Sequence, residues 1–178
     1  MQYIEAPENW EKTPNSPPAL FLAGGITGCP DWQNRIARMM VYTNYVVLNP
    51  RRRPFPMNDP SATEQQITWE FRHLRKADVI AFWFCKEAIQ PIALFELGAW
   101  SQQKDPAIVV GVESGYPRQA DIHLQMGLLG RGVISSLDDL AVRLIDMERS
   151  ISIRLSNTAC TRPPRAEGSA TDIQSGGG

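Results

Sequence analysis

Glu70 and Glu96 are carboxylates set in stretches that otherwise read as buried carbon. Glu96 is the sole charged residue from Ile89 to Gln103, inside the run Pro-Ile-Ala-Leu-Phe-Glu-Leu-Gly-Ala-Trp. Burying an unpaired carboxylate is costly, so such a residue points to a site. Early in a helix, it would also feel the positive end of the dipole, which favours the ionised form. An ionised carboxylate in an apolar pocket is a good nucleophile toward an anomeric carbon, with a covalent glycosyl intermediate as the product. The plain alternative is a helix-terminal glutamate paired with Arg51 or Arg72. Glu70 joins Ile67, Phe71 and Leu74, whose i, i+4, i+7 spacing predicts the inward stripe of an amphipathic helix. For Glu70 an inward ion pair with Arg72, Arg75 or a loop arginine stands beside the chemical reading.

Other candidates gather around loops. Gly24-Gly25-Ile26-Thr27-Gly28 follows the apolar run Ala19–Ala23. It is neither a G-x-G-x-x-G fingerprint nor a P-loop. Its glycines let backbone N–H groups approach a sugar or a phosphate, or simply make a tight turn. Arg51, Arg52 and Arg53 form a short basic run that could meet phosphate or be a solvated loop. Asp78, at the start of a buried strand, reads as a structural cap. His73 and His123 have no ligand-like partners, so no metal role is assigned. Trp83, Phe84 and Trp100 read as core.

The elements that must position these residues alternate. Strands are expected at 19–23, 45–48, 79–84, 107–111 and 132–134. The run Val79-Ile80-Ala81-Phe82-Trp83-Phe84 reads as a strand covered on both faces. Asp31 is placed to cap a first helix whose apolar positions are Trp32, Ile36, Met39, Met40 and Thr43. Thr63 is expected to open the helix of Glu70, and Pro91 suits the first position of the helix of Glu96. Asp121–Leu129 is a short helix. Ser135-Ser136 cap a last one, with Leu137, Leu140, Leu144 and Met147 inward. This alternation predicts an α/β fold: a doubly wound, five-stranded, mostly parallel sheet with helices on both faces, flavodoxin- or Rossmann-like. Ligands of such sheets bind at the carboxyl ends of the strands. The glycine loop, the Asn49–Arg53 loop, the Cys85–Gln90 turn and the start of the Glu96 helix all fall at that edge.

The composition narrows the classes. The 178 residues suit one domain. It is read as residues 19–149, after an N-terminal arm (1–18) that wraps the domain or is loose, and before a disordered tail (150–178) rich in Ser, Thr, Pro, Arg and Gly. With 18 Lys and Arg against 19 Asp and Glu, the formal net charge of -1 offers no case for a nucleic-acid or membrane-surface partner. Three cysteines, Cys29, Cys85 and Cys160, are too few and too oddly spaced for a disulfide framework or a zinc site. No signal-like start and no membrane-length apolar run is seen, so a soluble, cytoplasmic protein is expected.

The motifs resemble one family in combination. Phe21-Leu22-Ala23-Gly24-Gly25-Ile26-Thr27-Gly28, Asn49-Pro50-Arg51-Arg52, Gln66-Ile67-x-Trp69-Glu70, Ala77-Asp78-Val79-Ile80 and Phe95-Glu96-Leu97-Gly98 occur in that order. Together they resemble the nucleoside 2-deoxyribosyltransferase-like superfamily, which includes the deoxynucleoside 5'-monophosphate N-glycosidases. The resemblance runs from about 19 to 100 and weakly to about 147. It implies that Glu96 is the nucleophile and that Glu70 replaces an aspartate that contacts the sugar and helps the base leave. Phe21 stands where the family often has a tyrosine near the nucleophile. Gln90 replaces an acidic residue of the transferases, and Thr27 a phosphate-binding arginine of the monophosphate hydrolases. The resemblance thus implies catalysis by Glu96 and Glu70, with substrate held by Phe21, Gly24, Gly25, Thr27, Gly28, Asn49, Arg51 and Gln90. The ligand is a small nucleoside or nucleotide, no metal or other cofactor is needed, and a homo-oligomer, at least a dimer, closes the site through residues near Asp121–Gln125. Two other readings stay open: a nucleotide-sensing module on the same fold, and a related NAD- or cytokinin-precursor glycohydrolase.

Overall fold

A computed structural model describes residues 1–56 and 58–160, with side chains to position 154. The strands are β1 (Gln2–Glu5), β2 (Ala19–Gly24), β3 (Val46–Asn49), β4 (Val79–Phe84), β5 (Ala107–Val112) and β6 (Val133–Ile134). The helices are α1 (Trp32–Met39), α2 (Pro60–Lys76), α3 (Pro91–Trp100), α4 (Gln119–Leu128) and α5 (Leu137–Cys160). All strand pairs are parallel, in the order β1-β3-β2-β4-β5-β6. This is the doubly wound α/β fold that the alternation predicts. From β2 the chain steps outward to β3, then returns past β2 to β4. The carboxyl ends of β2 and β4 therefore flank the switch in strand order, where such folds take ligands.

Two cores sandwich the sheet, because successive side chains of a strand face opposite ways. Phe21, Ala23, Phe82 and Phe84 pack with Trp69 of α2, Leu97 of α3 and Ile122 and Met126 of α4. Leu20, Leu22, Ala81 and Trp83 pack with Ile36 of α1 and Leu140 and Leu144 of α5. Asp31 caps α1, its carboxylate accepting from the Asn34 N–H at 3.2 Å. Ser136 accepts from the Asp139 N–H at 3.1 Å ahead of α5. Among the described residues no helix is long and apolar enough to cross a membrane.

The sheet has six strands, one more than the pattern predicts. The extra strand, β1, lies within the supposed arm and pairs with β3 from Gln2↔Val46 to Glu5↔Asn49. It is a short, polar edge strand, so no apolar run announces it. Its place comes from backbone pairing. The arm then wraps: Trp69 Nε1 donates to the Glu8 carbonyl at 2.7 Å, and the Trp10 N–H to His73 Nε2 at 3.2 Å. Lys12 Nζ reaches Asp78 at 2.6 Å, while the other Asp78 oxygen accepts from the Ala19 N–H at 2.8 Å. Asp78 is structural, as expected.

Two further differences concern helices. α2 opens at Pro60, capped by Asp59, and it buries Ala62, Trp69, His73 and Leu74. Ile67 and Phe71, expected inward, are 61% and 55% exposed. The inward face is set by Trp69 and His73, whose rings stack at 4.0 Å. His73 is neutral there, with Nδ1 on the Trp69 carbonyl and Nε2 accepting from Trp10, and burial lowers its pKa. A pattern of aliphatics cannot see a histidine serving as core. α5 runs on to Cys160, through the first part of the segment read as a tail. Ser150 and Ser152 turn their hydroxyls back to the Asp146 carbonyl and to Glu148, at 2.9 and 2.6 Å, so they do not break the helix. Positions 161–178 lie outside the described residues.

The docked arm carries a measurable share of stability. Trp10 is only 8% exposed. Trp10→Ala should lower the unfolding free energy by about 3 kcal/mol in a urea titration. An unchanged midpoint would mean the arm does not hold the fold.

Candidate active site

Glu96 is the sixth residue of α3, the helix that leaves the carboxyl end of β4 through the turn 85–90. Pro91 starts the helix, and Ala93 and Leu97 bury its inward side. Glu96 is half-buried beside that seam. Among the described residues no hydrogen bond or ion pair engages its carboxylate, so neither Arg51 nor Arg72 neutralises it. Burial first, and the charge of Glu70 second, push its pKa up to about 8. The dipole was expected to favour ionisation. Glu96 lies beyond the first turn, where that effect fades, and burial prevails.

Glu70 comes to the same face from mid-α2. Its pKa is also raised, by burial, with partial relief from a hydrogen bond donated by Gln66. Gln66 Nε2 donates to Glu70 Oε1 at 2.8 Å and to the Pro50 carbonyl at 2.7 Å. This ties the carboxylate to the end of β3. Among the described residues no arginine pairs with Glu70 either: Arg75 instead lies over the Phe71 ring, 3.4 Å from its centre. Phe21, central in β2, packs its ring 6.0 Å from that of Trp69 on this side of the sheet.

The glycine loop leaves the carboxyl end of β2, next to the end of β4. Gly24 has φ +149°, and a Cβ there would run into the Trp83 carbonyl. A Cβ on Gly25 would strike Cys29 Sγ and the Gln90 side chain. The loop is held by its carbonyls. Trp32 Nε1 and Gln33 Nε2 donate to Gly25 O at 3.0 and 3.1 Å. Arg51 donates to the carbonyls of Pro30, Ile26 and Cys29 at 2.7, 2.8 and 2.7 Å, and to Gln33 Oε1 at 3.0 Å. Its guanidinium is thus spent on the protein. Arg53 pairs with Asp31, and Arg52 donates to Gln65 at 2.7 Å. Asn49 is fully buried, linking Tyr3 (2.6 Å) to the Arg51 N–H (2.9 Å). Thr27 and Gly28 are exposed at the loop tip.

Gln90 is the N-cap residue of α3 but makes no side-chain cap. Its Nε2 turns back to the carbonyls of Cys85 and Ala88, at 2.9 and 3.1 Å. Its Oε1 is buried without a partner among the described residues. Sequence reasoning passed over three features here. Gln66 could have been read as an i, i+4 partner of Glu70. Tyr116, buried against Phe84 at 5.4 Å between ring centres, carried no signal. The third is a disulfide between Cys29 and Cys85. No framework was expected from three cysteines, yet strand order brings these two together from 56 positions apart. Among the described residues no group of three His, Cys, Asp or Glu side chains is arranged to hold a metal.

The raised pKa of Glu96 has a pH signature. The folded protein holds this proton up to about 8, whereas an ordinary glutamate releases it near 4.5. Between those values the unfolded chain binds fewer protons, so stability must fall as pH rises. The loss is on the order of 3 kcal/mol across that window. Urea unfolding at pH 5 and pH 8.5 should show it for the wild type and much less of it for Glu96→Gln. Equal slopes would place the titration elsewhere.

A family model described as nucleoside 2-deoxyribosyltransferase like matches residues 17–116. That is more than half of the 178 residues, and it takes in β2, the glycine loop, both glutamates and Gln90. No curated protein matches the chain significantly. The chain belongs to the nucleoside 2-deoxyribosyltransferase-like family.

Proposed function

We propose that this protein cleaves the N-glycosidic bond of a (deoxy)nucleoside or nucleotide through a covalent intermediate on Glu96. The observation that carries this reading is a half-buried glutamate with no ion-pair partner, beside a second glutamate, at the carboxyl edge of the sheet. Ionised Glu96 attacks C1', the bond to the base breaks, and an ester to the sugar forms. Protonated Glu70 delivers its proton to the departing base. Water or a second base then attacks C1', frees Glu96 and returns a proton to Glu70.

The charge state of the pair suits this cycle. Two adjacent carboxylates out of water resist ionising together, so they titrate as a unit. Without ligand, burial and then the charge of Glu70 push the Glu96 pKa up to about 8, which favours a proton there. Chemistry needs it on Glu70, a transfer within the pair that a bound base, accepting a hydrogen bond from Glu70, would favour. The glycine loop offers backbone N–H groups to the sugar or its phosphate, with Thr27 and Gly28 at the tip. Arg51 and Asn49 serve by holding that loop in shape, and Gln90 Oε1 is a buried acceptor without a partner among the described residues.

A sensing role is the second reading, and Phe21 favours it. It has no hydroxyl to orient Glu96, and its ring packs on Trp69. Glu96→Ala separates the two. For the enzyme, kcat should fall by at least about a thousandfold with nucleoside affinity within severalfold of wild type. A 2-fluoro-2-deoxy nucleoside should leave one sugar on the peptide containing Phe95–Gly98, by intact mass and mapping. An adduct elsewhere, or unchanged turnover, overturns the nucleophile. Saturable binding without turnover by the wild type selects the sensor.

We further propose a homodimer that covers the site. Apart from Glu96, α3 is apolar, yet Ile92 and Phe95 are 67% and 74% exposed. Across a groove of about 450 Å³, α4 exposes Leu124 and Leu128, at 70% and 87%. Helices apolar all round belong in an interior, and a second copy would supply one here. Sedimentation at micromolar concentration should give a dimer. Leu124→Glu with Leu128→Glu should give a folded monomer with little activity. A fully active monomer refutes the interface.

A further inference from the structure

The bridge between Cys29 and Cys85 crosses the switch in strand order. Cys29 lies in the loop after β2 and Cys85 ends β4, with Cα atoms 6.4 Å apart. These strands flank the crevice, so the bond ties one lip to the other. It also fills the lip. The Gly25 backbone lies against Cys29 Sγ and the Gln90 side chain so closely that no Cβ would fit. Arg51, Trp32 and Gln33 hold four loop carbonyls. What the bond adds is a fixed position of the loop against Gln90.

The two sulfurs are not equivalent. Cys29 is half-exposed, whereas Cys85 is 1% exposed. Gln90 Nε2 stands 3.1 Å from Cys85 Sγ and 3.6 Å from Cys29 Sγ. An incoming thiolate can therefore reach Cys29 while the Gln90 N–H faces the sulfur that must leave. Hydrogen bonding to a thiolate lowers its pKa and makes it a better leaving group.

We propose that Cys29–Cys85 is a reversible thiol–disulfide site that governs the freedom of the glycine loop. In reduction, a small-molecule thiolate attacks Cys29 Sγ and the S–S bond breaks. Its electron pair goes to Cys85, which receives the Gln90 N–H and then a proton from solvent. A second thiolate attacks the mixed disulfide, releasing the Cys29 thiolate and an external disulfide. In oxidation, the Cys29 thiolate attacks oxidised glutathione and expels one glutathione thiolate. Cys85 then displaces the second, and the two glutathiones take up the two protons. Reduction lets Gln90 swing from the two carbonyls and present Oε1 to a ligand. This last consequence rests on the nucleoside-binding reading above.

The test equilibrates the full chain in reduced and oxidised glutathione mixtures. Maleimide labelling with peptide mapping then follows each cysteine, with Cys160 as internal reference. Cys29 and Cys85 should gain and lose label together. Amide exchange in 24–29 should speed up by about tenfold on reduction. Nucleoside affinity, by calorimetry, should rise by about fivefold. The double variant Cys29→Ser with Cys85→Ser should be insensitive to the mixture in both measurements. Independent labelling of the two cysteines, or loop exchange unchanged by their reduction, overturns the proposal. Affinity unchanged by reduction, with nucleoside bound, overturns the link to the ligand. Absence of any nucleoside binding counts against the proposed function alone, because labelling and exchange score the switch without it.

Discussion

Two carboxylates withdrawn from water on one face of a parallel sheet are the constraint around which this molecule is built. Among the described residues neither has a cation to neutralise it; burial makes both harder to charge, and the charge of Glu70 adds to this at Glu96. Removing a carboxylate from water is among the most expensive things a fold can do. Here the expense is limited by letting one proton remain, with Gln66 supplying a single hydrogen bond to Glu70. An arginine at this point would have favoured the ionised form of both.

The scaffold keeps arginines away by giving them other partners. Arg51 is turned inward onto loop carbonyls, Arg53 onto Asp31, and Arg75 onto the Phe71 ring. Lys12 and Lys76 anchor the arm at the far end of α2, at Asp78 and the Trp10 carbonyl. The same groups that hold the loop and the arm therefore leave the carboxylate face without positive charge. Structural and chemical requirements meet in Arg51 most plainly. Its loss would leave the loop carbonyls of Pro30, Ile26 and Cys29 without the donors that hold them.

The strand order explains why residues distant in sequence converge. β2 lies between β3 and β4, so the loop after β2 faces both the Pro50 turn and the Cys85–Gln90 turn. From the first of these comes the carbonyl that holds Gln66, and hence Glu70. The second leads into α3 and Glu96. The disulfide is a by-product of the same geometry. Cys29 and Cys85 belong to no common motif, and only adjacency of two parallel strands brings them within bonding reach.

How much of this was legible depends on what each signal measures. The central strands and α3 were readable because long apolar runs and a helix-opening proline act locally. Glu96 was readable for the same reason, as one charge in a stretch without others. The caps Asp31 and Ser136 and the structural Asp78 were readable because short polar side chains act on backbone within a few residues. β1 was not, because an edge strand needs only backbone partners and so leaves no apolar pattern. The rotation of α2 was not, because a neutral histidine stacked on Trp69 counts as core only once its two hydrogen bonds are known. Burial decides the charge on Glu96, hydrogen-bond geometry decides that Arg51 serves the loop, and strand order decides that Cys29 meets Cys85. Each is a sum over atoms brought together from distant parts of the chain. The sequence by itself therefore determined the element types, the doubly wound class and the candidate glutamates. Only the tertiary structure decided their burial, their lack of cation partners among the described residues and the bridge from the β2 loop to the end of β4, because desolvation and long-range pairing have no local signature.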